Sequence, residues 1–449
     1  MNTRNASNDS ENSVRRVEVS LARVFNIAVP MTIAYASTPL LGLVDTGVAG
    51  RLDDVVILGG LAIGAILFDL VFTAFNFLRS SVVGLTAQAF GARADEELDA
   101  VFLRAMVVAV LAGLATIVLA PLLLQLGLWF FSAEGPLADA IRAYFMVRVL
   151  ASPMALSVYV ITGHFLGLGH SRTVLGLQLL LNGTNMAFSI WLGLTLGYGI
   201  AGIAAATLIG EALATGVGLA LWWRSRQGRP WPDRKQLLDR SALAKFFALN
   251  RDITIRSFCL LFAFVIFTRI GTGFGEVTLA ANAVLMQVFL LSGYLLDGLA
   301  TAAEQMVGQS IGAKDRKGFQ RTVNLCLACA AIFAVSLFAI YMLAHGPFID
   351  FLVLDGEVRA EARAYIVWAA LTPVFGFLAF QMDGVYIGAA WGKEMRDWML
   401  FSFALYLVAI AFAAWWQSNH LLWLALNLFL GLRGISLYAI LPRKTASSF

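Results

Sequence analysis

The sequence predicts an all-α polytopic membrane protein, with twelve transmembrane helices in two pseudo-symmetric six-helix lobes. Three observations carry this. Only 13% of the 449 residues are charged and 59% are hydrophobic, whereas a soluble protein carries about 25% charge. The apolar runs are long and uninterrupted, while a membrane barrel would alternate apolar and polar over about 10 residues. A backbone in lipid must satisfy its own hydrogen bonds, and a helix does so within one segment. Finally, the second half repeats the first at an offset of 221 residues.

Twelve segments reach the roughly 20 apolar residues that a span requires. They cover residues 22–49, 56–88, 99–126, 138–163, 171–195, 199–223, 243–271, 277–310, 319–344, 360–386, 395–416 and 420–441. Residues 1–20 are polar, without the apolar core of a cleavable leader, and are expected to form a disordered cytoplasmic N-terminus. The run RSRQGRPWPDRKQLLDR (224–240) is the one long polar break. It divides a first lobe (21–223) from a second (243–441), with 224–242 a cytoplasmic linker and 442–449 a cytoplasmic tail. Lys and Arg set the orientation. With the N-terminus inside, 22 of them fall on the cytoplasmic side and five outside. Both termini are therefore expected in the cytoplasm. The mean hydropathy of +0.78 fits this reading.

The repeat is carried by TAQAFGAR (86–93) against VGQSIGAK (307–314), by the Arg-Ala-Tyr runs at 142 and 363, and by Gly167 against Gly388. Six helices per half make the repeats parallel, related by an axis along the membrane normal. Two such lobes enclose a cleft, which favours a transporter over a channel.

A charge near the bilayer centre costs at least about 2.5–3.5 kcal/mol, so each one needs a reason. Asp45 is the acid of the first span. Apolar surroundings favour its neutral form, and water or a cation favours the carboxylate, as a proton-coupled carrier requires. Aligning the halves on LARVF (21–25) and LAKFF (243–247) places Phe267 opposite Asp45 and Asp252 opposite Pro30. Acid and proline therefore belong to the first half alone. Pro30 removes a helical hydrogen bond and is a candidate hinge, a static bend or an early-helix proline. Asn182, Asn185 and Ser189 could hydrogen-bond Asp45, or glue helices together.

The second half offers Asp297 and Glu304, seven residues apart and so on one helix face, and Asp383. They could contact substrate or a coupling ion, or pair with Arg256, Arg269 or Arg433. Asp69, Arg79 and Glu211 read as structural. Cys259, Cys326 and Cys329 lie in apolar segments without His partners, so no metal site is expected. No GxxxxGK[ST] loop occurs, so ATP is not the power source within this chain. No Ser/His/Asp grouping suggests an enzyme. The pI near 9.0 reflects membrane orientation and not nucleic-acid binding.

The segments PLLGLVDTGVAGRL (39–52), GLTAQAFGA (84–92), LNRDITIRS (249–257), LLDGLATAAE (295–304), MDGVYIGA (382–389) and LRGIS (432–436) resemble the multidrug and toxic compound extrusion (MATE) family, and most closely its DNA-damage-inducible protein F branch. The resemblance implies the MATE fold and an antiporter driven by protons, or in some members sodium. It implies export of cationic or amphiphilic organic compounds. It also implies that Asp45 binds the proton, that Pro30 marks a bend accompanying protonation, and that Asn185, Ser189 and Thr207 form a polar cluster. Some relatives carry a second acid where Ser189 stands. Its absence favours H+ over Na+, with no other cofactor. The sodium-linked branch uses second-lobe acids, and Asp383 sits on the corresponding helix.

The expected function is H+/drug antiport by alternating access across a bacterial inner membrane, by a monomer. Protonation of Asp45 would end its attraction for a cationic substrate and let the first helix bend at Pro30. A Na+-coupled drug antiporter, a flippase of a lipid-linked precursor and a non-transporting receptor are the rivals. A flippase should show a basic cavity, whereas acids are expected to outnumber arginines around the cleft.

Overall fold

The computed structural model describes residues 17–52, 55–226 and 228–449. The tail expected over residues 1–20 lies, as far as residue 16, outside the described residues. Among the described residues every regular element is helical. The first half holds α1 (Leu21–Gly50), α2 (Val55–Thr73), α3 (Phe77–Gly91), α4 (Asp95–Phe130), α5 (Gly135–Arg148), α6 (Ser152–Gly167), α7 (Ser171–Phe188) and α8 (Gly199–Ser225). A short α9 (Arg234–Leu237) lies in the linker. The second half holds α10 (Arg240–Gly271), α11 (Glu276–Gly312), α12 (Arg316–Leu352), α13 (Gly356–Gly388), α14 (Gly392–Trp415) and α15 (Asn419–Ser448).

These make twelve rods, because α2–α3 and α5–α6 are each one span broken in the middle. Pro153 follows the second break at Val149–Ala151. It has no N–H to continue the ladder. Eleven rods are apolar enough to cross a membrane by length and composition. The twelfth is α7, whose Arg172, Gln178, Asn182 and Asn185 dilute its hydropathy. It runs into a widened π turn at Ser189–Thr195. The outer surface exposes large apolar side chains such as Leu111, Val118, Leu343 and Val408, with Trp129, Trp415 and Trp416 at helix ends. Aromatic residues at span ends suit the membrane interface.

The repeat is visible as geometry. A Cβ on Gly91 would run into the backbone of Gln309, and one on Gly312 into the backbone of Gln88. These are the same contact exchanged across the two halves, since 91 and 312, and 88 and 309, each differ by the offset of 221. Within each half, Gly163 meets the carbonyl of Arg79 as Gly384 meets that of Ala300, and Gly167 meets Val83 as Gly388 meets Glu304. The left-handed turn residues Arg93 (φ 54°) and Lys314 (φ 53°) correspond too. Without lipid-phase hydrophobic driving force, such small-residue contacts are how membrane helices approach closely. The ends of α3 and α11 thus form a tight seam joining the halves, reinforced by Gln88 Nε2 donating to Gly388 O at 2.9 Å.

The N-terminal residues strap this seam. Val17 N donates to Asp315 Oδ2 at 2.8 Å, and the Arg23 guanidinium bonds the Gln309 side chain. The linker also departs from a free connection and is docked on α4. Arg226 and Arg229 reach buried Asp99 at 3.6 and 3.3 Å. Arg226 stacks over Trp231 with 3.5 Å to the ring centroid. The three cysteines are unbridged.

Candidate functional site

Asp45 lies in the last third of α1, half-buried, where α7 passes beside it. Ser189 Oγ donates to Asp45 Oδ1 at 2.7 Å and stands 3.0 Å from Asn185 Oδ1. Asn185 Nδ2 donates to Thr207 Oγ1 of α8 at 2.7 Å, and Thr207 Oγ1 reaches the carbonyl of Ile203 at 3.4 Å. Asn185 and Ser189 are fully buried and Thr207 nearly so. The expected polar cluster is therefore assembled, with one correction. Asn182 does not reach Asp45. It donates to Ser37 Oγ of α1 at 2.8 Å, because it precedes Ser189 by seven residues, about 10 Å along the helix.

Pro30 is buried inside a continuous α1. A proline cannot bond the carbonyl four residues earlier, here that of Asn26. Ser171 Oγ at the start of α7 donates to Asn26 O at 2.9 Å instead. The opening in the α1 ladder is thus filled by a side chain from the helix that also holds Asp45. Nearby, Arg148 pairs with Glu211 at 2.9 Å and packs over Phe68, 4.1 Å from the ring centroid. These two, with Asp45, give the first half a buried charge network, although Ser189 itself is not an acid.

The second-half acids stand around a central cavity of about 420 Å³ between α1, α3, α10, α11, α13 and α15. Asp383 is held by two guanidinium groups. Arg256 engages it through Nε and Nη2, and Arg433 Nη2 donates at 2.8 Å. Asp297 and Glu304 line the same cavity from α11. Arg79 donates to Tyr35 Oη at 2.9 Å, and Tyr35 Oη lies 3.0 Å from Thr301 Oγ1. Arg269 stays apart, bonded to Thr272 at the end of its helix.

Two expectations change here. Acids do not outnumber arginines: Arg79, Arg256 and Arg433 face Asp297, Glu304 and Asp383. The basic partners come from α3, α10 and α15, and sequence order hides their convergence. Nor does Asp45 line this cavity. It lies ten residues beyond Tyr35 on α1, about 15 Å along the helix. The two sites each draw a residue from α1, Tyr35 for the cavity and Asp45 for the polar cluster. Sequence reasoning passed over Tyr35 and treated Arg79 as structural. The signal for Arg79 was available, since it is a charge in an apolar span. Among the described residues no cluster suits a metal ion.

Two six-helix halves joined at a seam and enclosing a charged cavity define a multi-pass membrane transporter. The MatE family model matches residues 30–191 and 253–424, once in each half, and the chain belongs to the MatE family, whose members are transporters and not enzymes. It is 34% identical over 424 residues to DNA damage-inducible protein F of Escherichia coli (strain K12), covering 94% of this chain and 92% of that protein. It is 25% identical over 346 residues to a probable multidrug resistance protein NorM of a Synechococcus strain, covering 74% and 70%. A crystal structure of MATE in complex with MaL6 superposes with a TM-score of 0.85 at 16% identity, over 95% of this chain and 96% of that one. This last likeness establishes the fold.

Proposed function

We propose that this transporter is a proton-driven multidrug exporter of the bacterial inner membrane, working as a monomer and exchanging H+ for cationic or amphiphilic organic compounds by alternating access. The carrying observation is the single hydroxyl of Ser189 between Asp45 and Asn185. One hydroxyl proton serves one acceptor well. With Asp45 ionised, Ser189 donates to it. With Asp45 neutral, the acid proton fills that contact and Ser189 donates to Asn185. Rotation of the Asn185 amide, with Thr207 then donating to it, completes the first arrangement. Both protonation states are fully bonded, so neither strands a buried polar group at a cost of about 1–3 kcal/mol.

Sodium is the weaker coupling ion. It wants several hard oxygen ligands. Asp383 is already matched by Arg256 and Arg433. A flippase for a pyrophosphate-linked lipid is disfavoured because Asp297 and Glu304 would face the phosphates. The multidrug-resistance relatives support the cargo class. The Lys and Arg distribution supports reading the seam as the cytoplasmic end. Protonation of Asp45 would be relayed along α1 to Tyr35 at the cavity, ten residues away, and on to the bend at Pro30, five residues further. Each charge moved supplies about 2.3 kcal/mol per 100 mV, roughly a fiftyfold concentration ratio.

Proteoliposomes with separately imposed pH and Na+ gradients test the reading. A pH gradient should drive lipophilic cations out while a Na+ gradient alone does not. Drive by Na+ alone would sink the proton assignment.

A further inference from the structure

We propose that Arg148 is a positioning residue for the proton step, an internal counter-cation shared between Glu211 and Asp45 that lets Asp45 give up its proton as substrate binds. The inference rests on the proton-driven reading and adds to it the residue that sets the proton affinity of Asp45.

The break between α5 and α6 brings this guanidinium inside the first half. Arg148 is the last residue of α5, and a tighter 3-10 turn follows at Val149–Ala151. The charge therefore stands near the middle of the span Gly135–Gly167, at a helix C-terminus, the end that favours a cation. A charge at that depth needs a partner. Arg148 Nη1 donates to Glu211 Oε1 of α8 at 2.9 Å, and the guanidinium lies over the Phe68 ring of α2.

The pair with Glu211 does not exhaust either partner. Glu211 is 6% exposed, and its Oε2 has no hydrogen-bond partner among the described residues. Arg148 also acts electrostatically on Asp45 and on Asp69, the residue after Phe68 on α2. Three carboxylates thus share one cation in the interior of the first half. Tyr144 of α5 and Tyr159 of α6 are the other titratable groups around them. To Asp45, α7 brings only the neutral Ser189, backed by Asn185, and the α11 acids Asp297 and Glu304 belong to the central cavity. An unmatched buried charge is costly, so one cation cannot keep all three acids ionised, and they titrate as a coupled set. A proton on Asp45 leaves Arg148 to Glu211. When that proton departs, the guanidinium is the charge that holds the new carboxylate. Arginine suits the task because it stays charged throughout.

The test is the pH profile of proton release by the purified full-length protein when a lipophilic cation is added. Arg148→Gln should raise the pH of half-maximal release by about one unit, because Asp45 loses the cation that favours its carboxylate. Glu211→Gln should lower it, because Arg148 is freed from its partner and acts more fully on Asp45. Arg148→Lys should stay near the wild type. Since Arg148→Gln leaves Glu211 unpaired, the double variant Arg148→Gln/Glu211→Gln removes both members of the pair and should keep the upward shift. A merely structural pair would not move the profile in opposite directions. Shifts of the same sign in the two single variants, or an unchanged profile in the double variant, overturn the proposal. Absence of proton release from the wild type would instead sink the proton-driven reading, and this inference with it.

Discussion

Ser189 donates a 2.7 Å hydrogen bond to Asp45, tying the proton-site candidate of α1 to the helix that also supports the Pro30 opening. A hydrogen bond to a charged group contributes about 1.5–3 kcal/mol. Ser189→Ala should therefore fold and insert but slow proton-driven export by about tenfold. Initial rates in vesicles under a fixed pH gradient check this, and a wild-type rate would remove Ser189 from the coupling site.

Ser171 and Pro30 should be coupled energetically. In the wild type, Ser171→Ala leaves the Asn26 carbonyl unpaired and should cost about 1 kcal/mol. In a Pro30→Ala background the new N–H of residue 30 can bond that carbonyl, so removing the hydroxyl should cost little. A double-mutant cycle on unfolding in detergent reads the interaction term. Additive effects would mean that Ser171 does not fill the opening. Pro30→Ala alone should also slow transport if bending there is part of the cycle.

The exchanged contacts of Gly91 and Gly312 predict matched behaviour. A methyl group at either position meets backbone of the other half and cannot be accommodated by side-chain motion. Gly91→Ala and Gly312→Ala should each part the seam and shift the protein toward opening at that end. Spin labels on the ends of α3 and α11 should show a longer separation in both variants. An unchanged distance in either would show that the seam tolerates the added group.

The docked linker should contribute stability and not merely connect. Arg226 is 6% exposed, reaches Asp99 and stacks on Trp231. Arg226→Ala should lower stability by about 2 kcal/mol, less than the full loss of a buried pair, because Arg229 still faces Asp99. Arg226→Lys should not restore it, since an ammonium lacks the planar stacking surface. Thermal unfolding in detergent measures both.

Much of this was legible in the sequence, for identifiable reasons. The twelve rods follow from apolar length, and α7 was recognised despite its polar residues because its run remained long enough. The repeat was carried by glycines whose spacing is fixed by backbone contact, so motif and geometry coincide. Asp45 stood out because its partner position in the second half is Phe267. The break between α2 and α3 was hidden, since a bend leaves composition unchanged. The partners of Asp383 were hidden for another reason. Arg256 and Arg433 lie 127 and 50 residues away, and several intramembrane charges could have paired in that role. Only packing chooses among them.

The central claim is that Asp45 exchanges its proton as substrate binds. Substrate added to the purified protein in weakly buffered detergent solution should release protons, followed with a pH indicator. The account predicts release from the wild type and none from Asp45→Asn at matched substrate occupancy. Equal release from both proteins would contradict it.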